Sequence, residues 1–199
     1  MALIGARAIP RRGVAQALCA ALLAAGLGCA EQPPPERIEP VGQADLEHAR
    51  AALVPFKQQL VKELTAGLAA GTDQAIEVCK VKAPRIASSL SVGGVAMGRT
   101  SHKLRNPHNA AAPWLEPLLE DYVSAKGAAQ PRAVRLEDDR FGYVEPIYVK
   151  SACLICHGGE IDEKVALELE KLYPQDRATG FEVGDFRGLF WVTMPLSDS

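Results

Sequence analysis

The run Ala133-Val-Arg-Leu136, Glu137-Asp-Asp139, Arg140-Phe-Gly-Tyr-Val-Glu-Pro-Ile-Tyr-Val149, Lys150-Ser-Ala-Cys-Leu-Ile-Cys-His157 decides the fold. Its first half holds β-branched and aromatic residues in two segments, 133–136 and 141–149, around Asp138-Asp139. That pattern predicts an antiparallel hairpin. Upstream the hydrophobic period changes. Leu46, Ala49, Leu53, Phe56, Leu60, Leu64 and Leu68 recur at three- and four-residue steps and predict a helix over 44–70. Pro55 inside it predicts a kink or a late start. Asp73 is the expected N-cap of a second helix over 74–90, whose apolar face carries Ile76, Cys79, Ala83, Ile86, Ala87 and Leu90, with Pro84 as a local disturbance. A strand over 95–101, a polar ordered loop over 102–113 and a third helix over 114–126 follow. Downstream of the hairpin come a helix over 161–172, a turn-rich loop over 173–188 and a last strand over 189–194. Helices followed by antiparallel strands, with no internal repeat, predict an α+β domain over 44–199.

The chain of 199 residues is long enough for one domain of ordinary size. With 48% hydrophobic and 23% charged residues it is neither disordered, fibrous nor polytopic. A net charge of −2 gives no basic footprint for nucleic acid. The N-terminal end reads as an export signal over 1–30. Arg7, Arg11 and Arg12 precede an uncharged Ala/Leu-rich run over 13–27, too short to span a bilayer comfortably. Cys29, after the small Gly28, fits a lipidated lipoprotein cysteine, although Gly26 stands where such signals usually carry Leu; cleavage after Ala30 is the alternative. Residues 31–43, with four prolines, read as a tether. Loss of the signal leaves 19 basic and 24 acidic residues, a net of −5. The expected location is periplasmic, on a lipid anchor in the membrane.

Residues 153–157, Cys-Leu-Ile-Cys-His, match the pattern for covalent attachment of a c-type haem. Two thiols three positions apart reach the two vinyl groups on one edge of a porphyrin. His157 then falls beneath the iron as an axial ligand. Gly158 and Gly159 let the chain turn away. A zinc site would want a second ligand pair, which the sequence lacks. A thioredoxin-type dithiol would open the helix of a βαβ unit, which is not predicted. One haem c, held by Cys153, Cys156 and His157, is the expected cofactor.

Cys79 is then left without a partner. It is a packing residue, an intermolecular disulfide partner, or a thiolate ligand favoured by Lys80, Lys82 and Arg85. The rival ligands are Met97, Met194, His48, His102 and His108. The two methionines read as core, and His102 and His108 read as solvated loop residues.

Four stretches carry a family resemblance. They are Ala75-Ile-Glu-Val-Cys79 with Ala83-Pro84; Gly98-Arg-Thr-Ser101 with Leu104-Arg-Asn-Pro107 and Asn109; Cys153–Gly158; and Tyr173-Pro174, Asp176, Ala178, Gly180 with Gly184-Asp185 and Arg187-Gly188. Together, over about 45–196, they resemble the bacterial and cyanobacterial single-haem c-type domains with a PAS-like sensor fold. The resemblance implies a PAS-like antiparallel sheet with flanking N-terminal helices and His/Cys ligation of iron, with His157 proximal and Cys79 distal. Arg99 and Arg105 become candidates for the haem propionates, the alternative being a loop staple. Asp185 and Arg187 are expected to pair with each other in a turn. Tyr173 and Phe181 line the pocket or belong to the core. Many relatives continue into a transmembrane helix and a signalling output, whereas this chain ends at Ser199.

Three functions compete on these residues. The first is redox sensing, with Cys79 released from iron and its helix moving, read by an unknown signalling partner. The second is one-electron transfer with an unknown redox partner. The third is a haem enzyme or gas-binding protein with an open distal site, which requires Cys79 not to be a ligand. The expectation is one of the first two.

Overall fold

The computed structural model describes residues 40–125 and 127–197. All of them belong to one of the chain's two compact units, Ile38–Ser199; the other, Met1–Arg37, lies outside the described residues. So do the expected export signal with Cys29 and most of the expected tether.

Helix α1 spans Gln43–Ala70, 28 residues or ~42 Å at the usual rise per residue. It runs through Pro55, which excludes the late start and leaves the kink as the alternative of the two expected there. Losing one backbone donor is outweighed there by the burial of Ala49, Leu53 and Phe56 on the inner stripe. Helix α2 (Thr72–Glu77) starts after Gly71, not at Asp73, which sits in its first turn. A π-helical turn, Val78–Lys82, then leads directly into α3 (Ala83–Leu90). Its signature is the Ala83 N–H donating five residues back to the Val78 carbonyl. The disturbance expected near Pro84 is thus an extra residue wound into the helix, and Cys79 lies on it.

The strands are β1 (Ala96–Thr100), β2 (Arg132–Leu136), β3 (Arg140–Tyr148) and β4 (Phe186–Pro195). They form one antiparallel sheet in the order β1-β4-β3-β2. The predicted hairpin turns at Asp138 and Asp139, with φ of 56° and 52°. This left-handed pair matches the twist of the strands it joins. Alternation along the strands feeds two cores. On one face α1 and α3 cover Met97, Phe141, Tyr143, Val192 and Met194. On the other, α4 (Glu116–Ser124) sets Leu118, Leu119 and Tyr122 against Val144 and Leu189. Helices α5 (Leu154–His157) and α6 (Glu163–Leu172) sit between β3 and β4 in sequence. Helix α6 closes a third cluster with Ile76, Tyr173 and Cys156. The result is the expected α+β domain. No described helix is long and apolar enough to cross a membrane.

Candidate functional site

Strand β3 delivers the chain to a short 3₁₀ turn, Ser151–Cys153, that passes straight into the single turn of α5. The Val149 N–H donates to the Asp185 carbonyl and its carbonyl accepts from Gly184, each at 2.9 Å, which ties this exit to the loop before β4. Cys153 and Cys156 thus stand one turn apart, both as free thiols, as is Cys79. Burial pushes the Cys156 thiol up in pKa, opposed by the nearby Arg105. After His157 the chain leaves sharply. The Gly158 N–H donates to the Leu154 carbonyl at 3.0 Å. A Cβ on Gly158 would stand 2.7 Å from that same oxygen, so only glycine fits.

His157 is held from outside its own turn. Its Nδ1 lies 2.6 Å from the Ala178 carbonyl, and its own carbonyl accepts from the Phe181 N–H at 3.0 Å. A carbonyl can only accept, so Nδ1 carries the proton and Nε2 keeps its lone pair for a metal. Burial drives the imidazole pKa down to about 3, helped by Arg105 and Arg187, so the ring is neutral at ordinary pH. The Phe181 ring stands edge-on to it, with centroids 6.3 Å apart.

Cys79 is half-buried and outside the core clusters, against the packing reading. It is close enough to Cys156, Tyr173, Arg99 and Arg187 to perturb the titration of each. Arg99 and Arg187, the arginines that Cys79 acts on, also act on His157. Lys82 on the π-turn pairs with Glu63 of α1 at 2.6 Å. The rival ligands lie elsewhere. Met97 and Met194 are buried under α1, and His48 and His108 are exposed. His102 is not the solvated residue expected. Its ring stacks on Phe186 (5.6 Å, 14°) and meets Phe181 edge-on, with its Nδ1 buried and unpartnered. Aromatic residues flanking a polar loop, Phe181 and Phe186, were the available signal.

The arginines divide into two roles. Arg105 is a staple. It donates through Nε to Asp176 at 2.8 Å and through one terminal nitrogen to the Cys156 carbonyl and, at 3.3 Å, the Ala178 carbonyl. It thus ties the two segments that carry Cys156 and the oxygen gripping His157. This geometry favours the staple alternative over a propionate contact. Asp185 and Arg187 do not pair, contrary to expectation. The Asp185 carboxylate accepts from the Glu182 N–H, closing its own turn. Arg187 turns inward over the Phe181 ring, 5.2 Å from its centroid, and donates to Ser101 Oγ (2.7 Å) and the Lys103 carbonyl (3.2 Å). Sequence reasoning missed Arg187 because an Asp-x-Arg pair in a turn satisfies itself so easily. Arg99 is half-buried on β1, close enough to Cys79 and Tyr173 to be acted on by both, and no carboxylate pairs with it among the described residues.

Chemically, the site offers one neutral imidazole nitrogen beside two thiols in a turn, with arginines close by. No group of three or more His, Cys, Asp or Glu side chains among the described residues converges for a metal ion. The sheet has no parallel pair, so the dithiol does not open a βαβ unit.

An α+β domain with this turn and this arginine-rich site has relatives. A family model described as Tll0287-like matches residues 30–195, and the chain belongs to that family. Among solved structures it is similar to the crystal structure of the cyanobacterial heme-protein Tll0287, at 22% identity and a TM-score of 0.60, over 80% of this chain and 99% of that one. The likeness establishes a shared fold. No curated protein matches.

Proposed function

We propose that this chain is an exported single-haem c-type cytochrome of PAS-like fold, bound to the membrane by a lipid on Cys29, with a one-electron redox role. The observation that carries the reading is the fixed tautomer of His157. A ring whose Nδ1 is committed to Ala178, on the same turn as two free thiols, is built to present Nε2 to a metal. The donor set fits a haem better than a bare ion, because a porphyrin supplies four ligands and asks the protein for only two. The heme-protein relative supports the same group. The sheet order, with the last strand between the first and the hairpin, supports the PAS-like assignment.

In this reading Cys153 and Cys156 would hold the group through thioethers, and His157 Nε2 and Cys79 would be its two protein ligands. When bound, the group supplies a one-electron couple. The protein's own part is to keep His157 neutral, hold its ring against Phe181 and fix the thiol turn through Arg105 and Asp176. Cys79 stands on the least regular turn of its helix, pinned to α1 by the Lys82–Glu63 pair. A displacement of Cys79 would loosen that turn, which packs on α1. This is the feature that favours redox sensing, while retention of the thiolate in both states would make the protein an electron carrier.

The test is electron paramagnetic resonance of the ferric protein beside its Cys79→Ala variant. A low-spin thiolate signal, lost in the variant, is expected. Identical signals would remove Cys79 as a ligand. High-spin iron in the native protein would favour a haem enzyme or gas-binding protein. Haem surviving denaturing electrophoresis in both Cys153→Ser and Cys156→Ser would refute the attachment.

A further inference from the structure

Arg99 and Arg187 are two cations with no carboxylate paired to either among the described residues. Arg187 has its donor nitrogen on Ser101 Oγ and the Lys103 carbonyl, both neutral acceptors. Arg99 has no hydrogen-bond or ion-pair partner among the described residues. Asp176, the nearby carboxylate, is taken by Arg105 at 2.8 Å. Arg99 lies on β1 two residues before Ser101, whose Oγ takes the Arg187 guanidinium at 2.7 Å, so the two cations share one end of that strand. Burial first, then Arg105 and Arg99, push the Arg187 pKa down to about 10. Desolvated like charges in one recess are unfavourable unless a ligand of opposite charge fills it.

Arg187 is also built into place. Ser101 Oγ donates to the Arg187 carbonyl at 2.6 Å and accepts from its guanidinium at 2.7 Å, holding both ends of one residue. The Phe181 ring lies beneath the guanidinium and Lys103 stands over that same ring, 4.8 Å from its centroid. Gly188, next in the chain, has φ 154°, and a Cβ there would stand 2.2 Å from the Thr100 carbonyl. Glycine therefore lets the Arg187 backbone press against the end of β1.

We propose that Arg99 and Arg187 form a two-cation seat for a dicarboxylate edge, the two propionates of the bound haem, with Ser101 as the residue that positions Arg187. The inference rests on the haem reading. It makes Arg187 rather than Arg105 the second member of the seat. Two free guanidinium charges match two carboxylates, and Arg105 with Asp176 is already neutral. The seat selects a porphyrin by its acidic edge and keeps both propionates ionised, so their titration does not reach the iron.

The test is potentiometry of the purified holoprotein from pH 5 to 8 for the native chain, Arg187→Gln and Arg187→Lys. The lysine variant is expected to keep the native potential and the native pH profile. Arg187→Gln should lower the potential, because a positive charge near iron is gone, and should make it fall more steeply with rising pH than the native one as a released propionate titrates. An unchanged potential and profile in Arg187→Gln overturns the seat. If Arg187→Gln does not accumulate, Ser101→Ala takes its place. It keeps the charge but frees its position and should show a smaller steepening of the same sign; a native profile there overturns the proposal. A native protein without covalent haem in its denatured spectrum refutes the haem reading itself, a different outcome from either.

Discussion

Asp176→Ala strikes the pair that holds the site together. The Arg105 and Asp176 side chains are 9% and 11% exposed, so the pair is shielded from water. Removing the carboxylate leaves Arg105 buried with only carbonyl partners, the situation in which breaking a buried pair costs about 3–5 kcal/mol. Asp176 Oδ1 also accepts from the Ala178 N–H at 2.7 Å, adding about 1 kcal/mol. A loss of roughly 4–6 kcal/mol is expected from these two contributions. For a domain of this size that lowers the melting temperature by about 8–24 °C. Urea unfolding of haem-loaded protein, followed by far-ultraviolet circular dichroism, reads the stability directly. The double variant Arg105→Met/Asp176→Leu should recover most of the loss, since no charge is then stranded. A loss below about 1 kcal/mol for Asp176→Ala would refute the argument that this pair is desolvated and structural.

Three further predictions follow from single residues. Burial first, then Lys103 and Arg187, hold the His102 pKa below its ordinary 6.5, so the folded state binds this proton less readily than the unfolded state. Stability should therefore fall as pH drops below 6.5, and His102→Gln should flatten that slope in denaturation curves from pH 5 to 7. Gly158→Ala forces a Cβ against the Leu154 carbonyl and should cost about 1–3 kcal/mol while reducing haem incorporation, measured as the ratio of Soret to protein absorbance. Cys29→Ser should move the protein from the membrane to the soluble fraction on sedimentation, with an unchanged distribution ruling out the anchor.

The long periods of the sequence carried the architecture. The three- and four-residue steps of Leu53, Phe56 and Leu60 and the alternation of Phe141, Tyr143 and Val144 are burial written in one dimension, so α1 and the hairpin were legible. Cys153, Cys156 and His157 were legible because their spacing is local. What was not legible depended on contacts far apart in the chain. The inward turn of Arg187 is decided by Ser101, 86 residues away. The stacking of His102 is decided by Phe186, and the role of Arg105 by Asp176, 71 residues on. Pro84 signalled a disturbance, but not that the helix would absorb it by winding in an extra residue.

The position of β4 has a consequence for the order in which the domain closes. Of the described strands, the one that joins β1 to β3 comes last in the chain and starts 29 residues after His157. Without it the chain owns only a lone strand and a two-stranded hairpin, which is marginal in water. Cys153, Cys156 and His157 thus precede the strand that gives the sheet its middle, and a group attached to those thiols before Phe186–Pro195 pairs would be enclosed as the domain closes.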